Sequence, residues 1–167
     1  MRNSKVKGFT LIELIVVIAI IGILAAILVP SMLGYVRNAR ISSANANAKL
    51  VHTSVSAALT QCSIAGERPV AGGNNAQATE FAVNVKEGSL VKNWGDYKAD
   101  LETYLGNNYT GNGLAYVNSK SFAVSYALWT ADKDQTLSAT QLDASTQESM
   151  AKDDGLIVGC YPLKSGT

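Results

Sequence analysis

The fold of this 167-residue chain is decided by the segment KGFTLIELIVVIAIIGILAAILVP, which spans residues 7–30. From Phe9 to Val29 almost every residue is apolar, and the one charged side chain is that of Glu13. An α-helix of this length rises roughly 31 Å, about the thickness of the hydrocarbon core of a bilayer. The segment therefore predicts a membrane-spanning helix.

The residues before this segment predict its orientation. MRNSKVKG, residues 1–8, carries three basic side chains and no acid. By the positive-inside rule this octapeptide stays in the cytoplasm and everything after Val29 is exported. Two simpler interpretations remain open. One is a cleaved secretory signal peptide, which is disfavoured because the apolar run is too long and no convincing A-x-A cleavage site follows it. The other is a plain signal anchor.

A plain anchor does not explain Glu13. A carboxylate near the start of an apolar run costs on the order of 2–3 kcal/mol on insertion, and less near the interface. If a peptidase cleaved after Gly8, the new amine of Phe9 would lie one helical turn before Glu13. A neighbouring subunit could then place its amine against this carboxylate in an apolar environment, where the pairing is strong. The pattern predicts self-association.

The motif K-G-F-T-L-I-E-L, followed by about 16 apolar residues and then by a proline, resembles type IV pilins and related pseudopilins. The resemblance extends from Lys5 to about Ala39. It implies that Gly8 is the last leader residue, recognised by a prepilin peptidase, and that Phe9 is the N-methylated first residue of the mature chain. It also implies that Glu13 docks on the amine of Phe9 in another subunit.

The resemblance assigns a second feature to the same helix. Residues Gly22 to Pro30 correspond to the part that unwinds in assembled filaments of the family. Proline inside a helix removes one backbone hydrogen bond, so we expect a single long helix from Phe9 to Ile64, kinked at Pro30. Its second half carries an apolar stripe at helical spacing, which favours packing across a sheet over a weak coiled coil. The stripe consists of Ile41, Ala44, Ala48, Val51, Val55, Ala58 and Cys62.

The rest of the chain predicts an α+β architecture, with the long kinked helix packed against a small antiparallel β-sheet, and this architecture resembles the pilin fold. Residues 65–77 read as a loop because they are rich in Gly and Asn, and residues 131–154 as a polar surface excursion. The other predicted elements are a strand or irregular segment at Ala78–Glu87, a short helix at Asp96–Leu105, a hairpin of Leu114–Val117 with Ser121–Thr130, and a buried strand at Gly155–Tyr161.

Few side chains suggest further chemistry. Cys62 and Cys160 are both predicted at the helix–sheet interface of an exported domain, which favours a disulfide over two buried thiols. Asp132, Asp134 and Asp143 are weak calcium candidates, because Leu137 stands where an EF-hand loop needs glycine. We therefore expect a solvated acidic loop, with no metal and no cofactor. Asn108 lies in a sequon that we expect to be unmodified, and His52 is expected to be an ordinary exposed helix residue.

The balance of charge limits the possible functions. With 14 basic and 13 acidic side chains the net charge is +1, which argues against nucleic-acid binding. No nucleophile–base pair is recognisable, so an enzyme is not expected. The resemblance implies a structural subunit that polymerises into a helical surface filament. Residues 1–8 would be its leader, 9–36 the membrane or filament-core half of the helix, and 37–167 the exported head.

The resemblance also implies partners and a location. Membrane lipid surrounds the helix before assembly, in a single-pass topology with the amino terminus inside. The chain is acted on by a prepilin peptidase and by an assembly platform with an ATPase motor. Minor pilins and further copies of the chain join it, giving an extracellular pilus that could serve adhesion or motility. A pseudopilin of a type II secretion or competence DNA-uptake system is the alternative, and a signal-anchored surface binding module is a more distant one.

Overall fold

The computed structural model describes residues 8–66, 80–85, 103–106, 109–118, 120–132, 134–137 and 140–165. The first element, α1, is a helix from Leu11 to Ile64 that continues through Pro30. Contacts divide the chain into two compact units, residues 1–37 and 38–167, and α1 contributes to both. The predicted long helix is confirmed.

The ends of α1 follow ordinary capping chemistry. Thr10 precedes the first turn, which contains Glu13. At the other end Gly66 has a φ of 76°, and its N–H donates to the carbonyl of Ser63 over 3.2 Å. A left-handed glycine just past the last helical residue is a common helix terminator, because a side chain is strained in that conformation.

The second unit contains a four-stranded antiparallel meander in the order β1–β2–β3–β4. The predicted hairpin and the predicted last strand are confirmed, and residues 78–87 contain a strand. The strands are β1, Glu80–Asn84; β2, Asn112–Asn118; β3, Val124–Thr130; and β4, Val158–Tyr161.

Each face of this sheet has its own core. One core packs the second half of α1 against the sheet, with Val51, Val55 and Leu59 meeting Val83, Val117 and Trp129. The apolar stripe is buried as predicted, except that Ile41 is only half-buried, while Ser54 and Leu59 are also buried. The other face carries a second cluster: Leu114, Tyr116, Tyr126, Leu128, Leu142, Val158 and Cys160. The predicted α+β architecture is therefore confirmed.

The regular alternation of side chains along β3 is interrupted by a bulge. Val117 pairs with Val124, whereas the adjacent Tyr116 pairs with Tyr126, so Ser125 is the extra residue. Val124 therefore packs on the same side as α1, and Tyr126 lies on the opposite side. An extra residue in one strand reverses the side-chain parity beyond it, so Val124 and Tyr126 lie on opposite faces although they are two positions apart.

Residues 131–154 are also more ordered than predicted. They contain a second helix, α2, from Ala144 to Asp153, whose Gln147 and Ala151 are buried. The six acids of this stretch suggested a solvated loop, but four of them belong to α2 or its two caps, and only Asp132 and Asp134 lie in the exposed segment that follows β3. Of the predicted helix Asp96–Leu105 only residues 103–105 are described, and they are helical. Asn108 and residues 67–77 of the predicted loop lie outside the described residues.

Candidate subunit-docking site

The site begins at the first turn of α1, where Phe9 and Glu13 were predicted to act together. Phe9 is 89% exposed, and Glu13 is exposed one turn further along the chain. Glu13 is already hydrogen-bonded: its Oε2 accepts from the backbone N–H of Thr10 over 2.8 Å and from the Thr10 hydroxyl over 2.6 Å. The carboxylate therefore has a hydrogen-bond partner within its own chain.

This arrangement is a variant of the capping box. In the common form the N-cap hydroxyl binds a backbone N–H of the first turn, and the acid three residues later binds the N-cap N–H. Here both donors belong to Thr10 and both bind the same oxygen of Glu13. The carboxylate is thus held at the helix start, where the partial positive charge of the helix dipole also favours an anion.

The surface around Glu13 is apolar. Every residue from Leu11 to Leu33 is exposed, including leucine, isoleucine and valine side chains on all sides of the helix. A soluble monomer rarely exposes apolar surface of this extent, so it marks contact with lipid or with other chains. By length and composition α1 is the one helix among the described residues that could cross a membrane.

The other sequence-predicted residues of this region lie along the same helix. Gly8 is exposed just before α1, and a Cβ at Gly22 would meet no neighbouring atom. Pro30 is inside the helix, and the Ser31 hydroxyl donates to the carbonyl of Leu28 over 2.9 Å close to it. Cleavage at Gly8 and unwinding between Gly22 and Pro30 concern other states of the molecule and remain predictions.

Comparison with known proteins addresses this segment directly. The profile of the prokaryotic N-terminal methylation motif matches residues 3–29. The amino-terminal segment therefore carries the N-terminal methylation motif and is similar to that of type IV pilins. A type IV major fimbrial protein, FimA, of Dichelobacter nodosus is 29% identical over 165 residues, which cover 91% of this chain and 98% of that protein.

Shorter matches to this pilin-like chain have higher identity. A fimbrial protein of Moraxella nonliquefaciens is 56% identical over 50 residues, which cover 30% of this chain and 32% of that protein. The type IV major pilin PilE1 of Neisseria gonorrhoeae is 55% identical over 42 residues, or 25% of this chain and 26% of its own. The comparison with solved structures gave no significant match.

The two cysteines of the pilin-like chain correct a prediction. Both are buried, but Cys62 belongs to the core between α1 and the sheet, whereas Cys160 belongs to the cluster on the opposite face. The alternation of side chains along β4 explains the position of Cys160. A Cβ at the neighbouring Gly159 would overlap the carbonyl of Ala44 in α1. Gly159 therefore faces α1 and Cys160 faces away, and no disulfide joins the two cysteines.

The calcium candidates have separate local roles. Asp143 caps α2, since its Oδ1 accepts from the backbone N–H of Thr146 and from the hydroxyl of Ser145, both over 2.7 Å. Asp132 accepts from the backbone N–H of Asp134 over 3.0 Å, and both side chains are exposed. Within the described residues no three His, Cys, Asp or Glu side chains converge on a common point.

His52 is less exposed than predicted. It is half-buried, and its Nε2 lies 3.2 Å from the carbonyl oxygen of Val124, which accepts the hydrogen bond when that nitrogen carries the proton. Its ring meets that of Tyr161 edge-on, with centroids 5.3 Å apart. Burial lowers the pKa of His52, so the neutral form is favoured against the sheet.

A buried amide pair was not predicted. Gln147 of α2 is 2% exposed, and its Nε2 donates to Oδ1 of Asn45 over 2.7 Å and to the carbonyl of Val158 over 2.8 Å. The same Asn45 oxygen accepts from the N–H of Cys160 over 2.9 Å. These bonds link α1, α2 and β4. No sequence pattern predicted that Gln147 would be buried, because it lies in a stretch of acidic and hydroxyl side chains.

Proposed function

We propose that this chain is the precursor of a pilin subunit that is cleaved after Gly8, N-methylated at Phe9 and polymerised into a helical filament on the cell surface. In this mechanism the amine of Phe9 in one subunit is bound by the carboxylate of Glu13 in another. The apolar first half of α1 is extracted from lipid and buried among its copies.

The observation that carries the proposal is the position of Glu13. It is the one carboxylate on an otherwise apolar helical surface, and it lies one turn after Phe9. A carboxylate surrounded by apolar side chains gains strongly from a cationic partner, because the medium screens charge weakly. Subunits in which amine and carboxylate do not meet would carry an uncompensated buried charge, so the pair selects the axial register.

The proposal divides the chain into a leader at residues 1–8, a membrane or filament-core segment at 9–36 and an exported head at 37–167. Before assembly the basic leader lies in the cytoplasm and the helix spans the membrane once. The transfer from lipid to filament needs a prepilin peptidase, an assembly platform with an ATPase motor, and minor pilins at the start of the filament. Residues Gly22–Pro30 would unwind during packing, as Pro30 weakens the backbone bonding there.

An intact mass, measured on filaments sheared from cells that express the gene, tests processing and export together. The expected mass is that of the chain from Phe9 with one added methyl group and both cysteines reduced. A processed protein that stays in the membrane fraction and is lacking from the sheared fraction would favour a pseudopilin. A chain that begins at Met1 in both fractions would overturn the proposal.

Substitution of Glu13 tests the docking step separately. We expect Glu13→Ala to be produced and cleaved normally and to give little or no sheared filament. Glu148→Ala is the matched control, because Glu148 is an exposed acid on the outer face of α2. Normal filament yield from Glu13→Ala would contradict the docking role.

A further inference from the structure

The hydrogen bonds at the start of α1 involve Thr10, which has no part in the docking mechanism proposed above. Thr10 holds Glu13 through two donors, its backbone N–H and its hydroxyl, and both bonds end on Oε2. A carboxylate has about four acceptor positions shared between its two oxygens. The bonds from Thr10 therefore leave Oε1 available without either of them having to break.

We infer that Thr10 is a positioning residue for subunit docking: its hydroxyl fixes the Glu13 carboxylate so that Oε1 faces outward for the amine of a neighbouring copy. The inference rests on the proposed function. A glutamate side chain on an exposed helix has several rotamers, and ordering it at the moment of docking opposes association. The two bonds of 2.8 and 2.6 Å fix the side chain before the partner arrives.

The hydroxyl has a second effect on the same oxygen. As a neutral donor it stabilises the charged carboxylate while the subunit is still surrounded by lipid and no amine is present. Once docked, the carboxylate accepts from Thr10 at Oε2 and from the amine at Oε1, and both oxygens are satisfied.

The test compares Thr10→Val, which keeps the shape and removes the hydroxyl, with Thr10→Ser, which keeps the hydroxyl. We expect Thr10→Val to be cleaved and methylated and to lower the yield of sheared filament about tenfold, the change that accompanies loss of one hydrogen bond to a charged group. Thr10→Ser should assemble close to the parent level. Intact mass of the membrane-held subunit establishes processing in each variant.

The remaining outcomes separate the two proposals. If Glu13→Ala fails to assemble while Thr10→Val assembles normally, docking stands and the role of Thr10 is wrong. Better assembly of Thr10→Val than of the parent would also overturn it, because the hydroxyl would then compete with the amine. If Thr10→Val is not cleaved, Thr10→Ala replaces it. A cleavage defect in both would overturn the inference by placing Thr10 in peptidase recognition, and normal assembly of Glu13→Ala would overturn the proposed function itself.

Discussion

The two halves of α1 share one continuous backbone and differ in what their side chains contact. From Leu11 to Leu33 the helix exposes large apolar side chains on every side. From Ala44 to Cys62 one face is buried against the chain's own sheet, and several of its members are alanines. Large side chains provide apolar area for contacts outside the chain, whereas small ones let the helix backbone approach the sheet closely. The two halves therefore differ both in how far apolar residues extend around the helix and in the size of the side chains that make contact.

Gly159→Val should remove the close approach on which the second half depends. A side chain at this position would overlap the backbone of Ala44, and backbone atoms cannot move aside as a flexible side chain can. We expect a loss of about 3 kcal/mol or more, at or beyond the upper end for overpacking, so that little folded head remains. Resistance of the full chain to limited proteolysis in detergent measures this. A protease-resistant head would show that α1 and β4 can separate at little cost.

A matched pair of leucines tests the comparison directly. Leu59 is 3% exposed in the core of the head, and Leu28 is exposed in the first half of α1. Leu59→Ala should lower the free energy of unfolding of the head by about 2–4 kcal/mol, through lost burial and the cavity that remains. Leu28→Ala should change it by less than about 0.5 kcal/mol. Urea unfolding of both variants in the same detergent gives the difference, and equal losses would contradict the division of α1.

Gln147→Ala tests the amide pair that joins the second half of α1 to α2 and β4. Truncation leaves the carbonyl of Val158 without its side-chain donor and removes one donor to Asn45. The expected loss is about 1–3 kcal/mol, as for other buried polar groups left without a partner. Glu148→Ala, one residue further along the same helix and exposed, should be close to neutral. If both variants unfold at the same urea concentration, the buried amide contributes nothing.

The smallest expected effect is a pH dependence confined to the head. The backbone N–H of Thr146 and the hydroxyl of Ser145 lower the pKa of Asp143 to about 2. Because the folded pKa lies below the unfolded value of about 3.9, this stabilisation is complete above roughly pH 4 and is lost as the pH falls towards 2. Asp143→Asn keeps a capping side chain that does not titrate. The unfolding midpoint of the parent should therefore fall more steeply with acid than that of the variant.

The sequence predicted the elements whose signals are local. The apolar run and the stripe gave α1 with its end at Ile64, and β-rich residues between turn formers gave the hairpin. Features set by long-range contacts were missed. Gln147 meets Asn45, a partner 102 positions earlier in the chain, and that contact helps to fix α2 where the acids suggested a loop. The face of the sheet on which Cys160 lies is set by the contact of the neighbouring Gly159 with the backbone of Ala44. No local sequence pattern encodes that contact.

At the docking site the division is similar. Gly8, Phe9 and Glu13 were identifiable because a charge within an apolar run is conspicuous and the motif around it is specific. Thr10 was not singled out, since a threonine at this place reads as part of the motif without a role of its own. The role proposed for Thr10 rests on two distances to one carboxylate oxygen. The T-x-x-E spacing before an apolar run is the sequence signature of a capping box and was overlooked, whereas the bond of the Thr10 hydroxyl to the same oxygen has no such signature.

The bonds of Asn45 also bear on the order in which the head can close. Asn45 precedes its partners Gln147 and Cys160 by 102 and 115 residues, so it leaves the ribosome well before them. In a subunit whose amino terminus stays at the membrane, the second half of α1 would reach the far side while its partner strand is still being translated. Its apolar stripe would stay uncovered until β1, β2 and β3 had crossed, and the bonds of Asn45 to Gln147 and Cys160 would form after that. A chaperone on that side would therefore meet an open helix before it met a finished head.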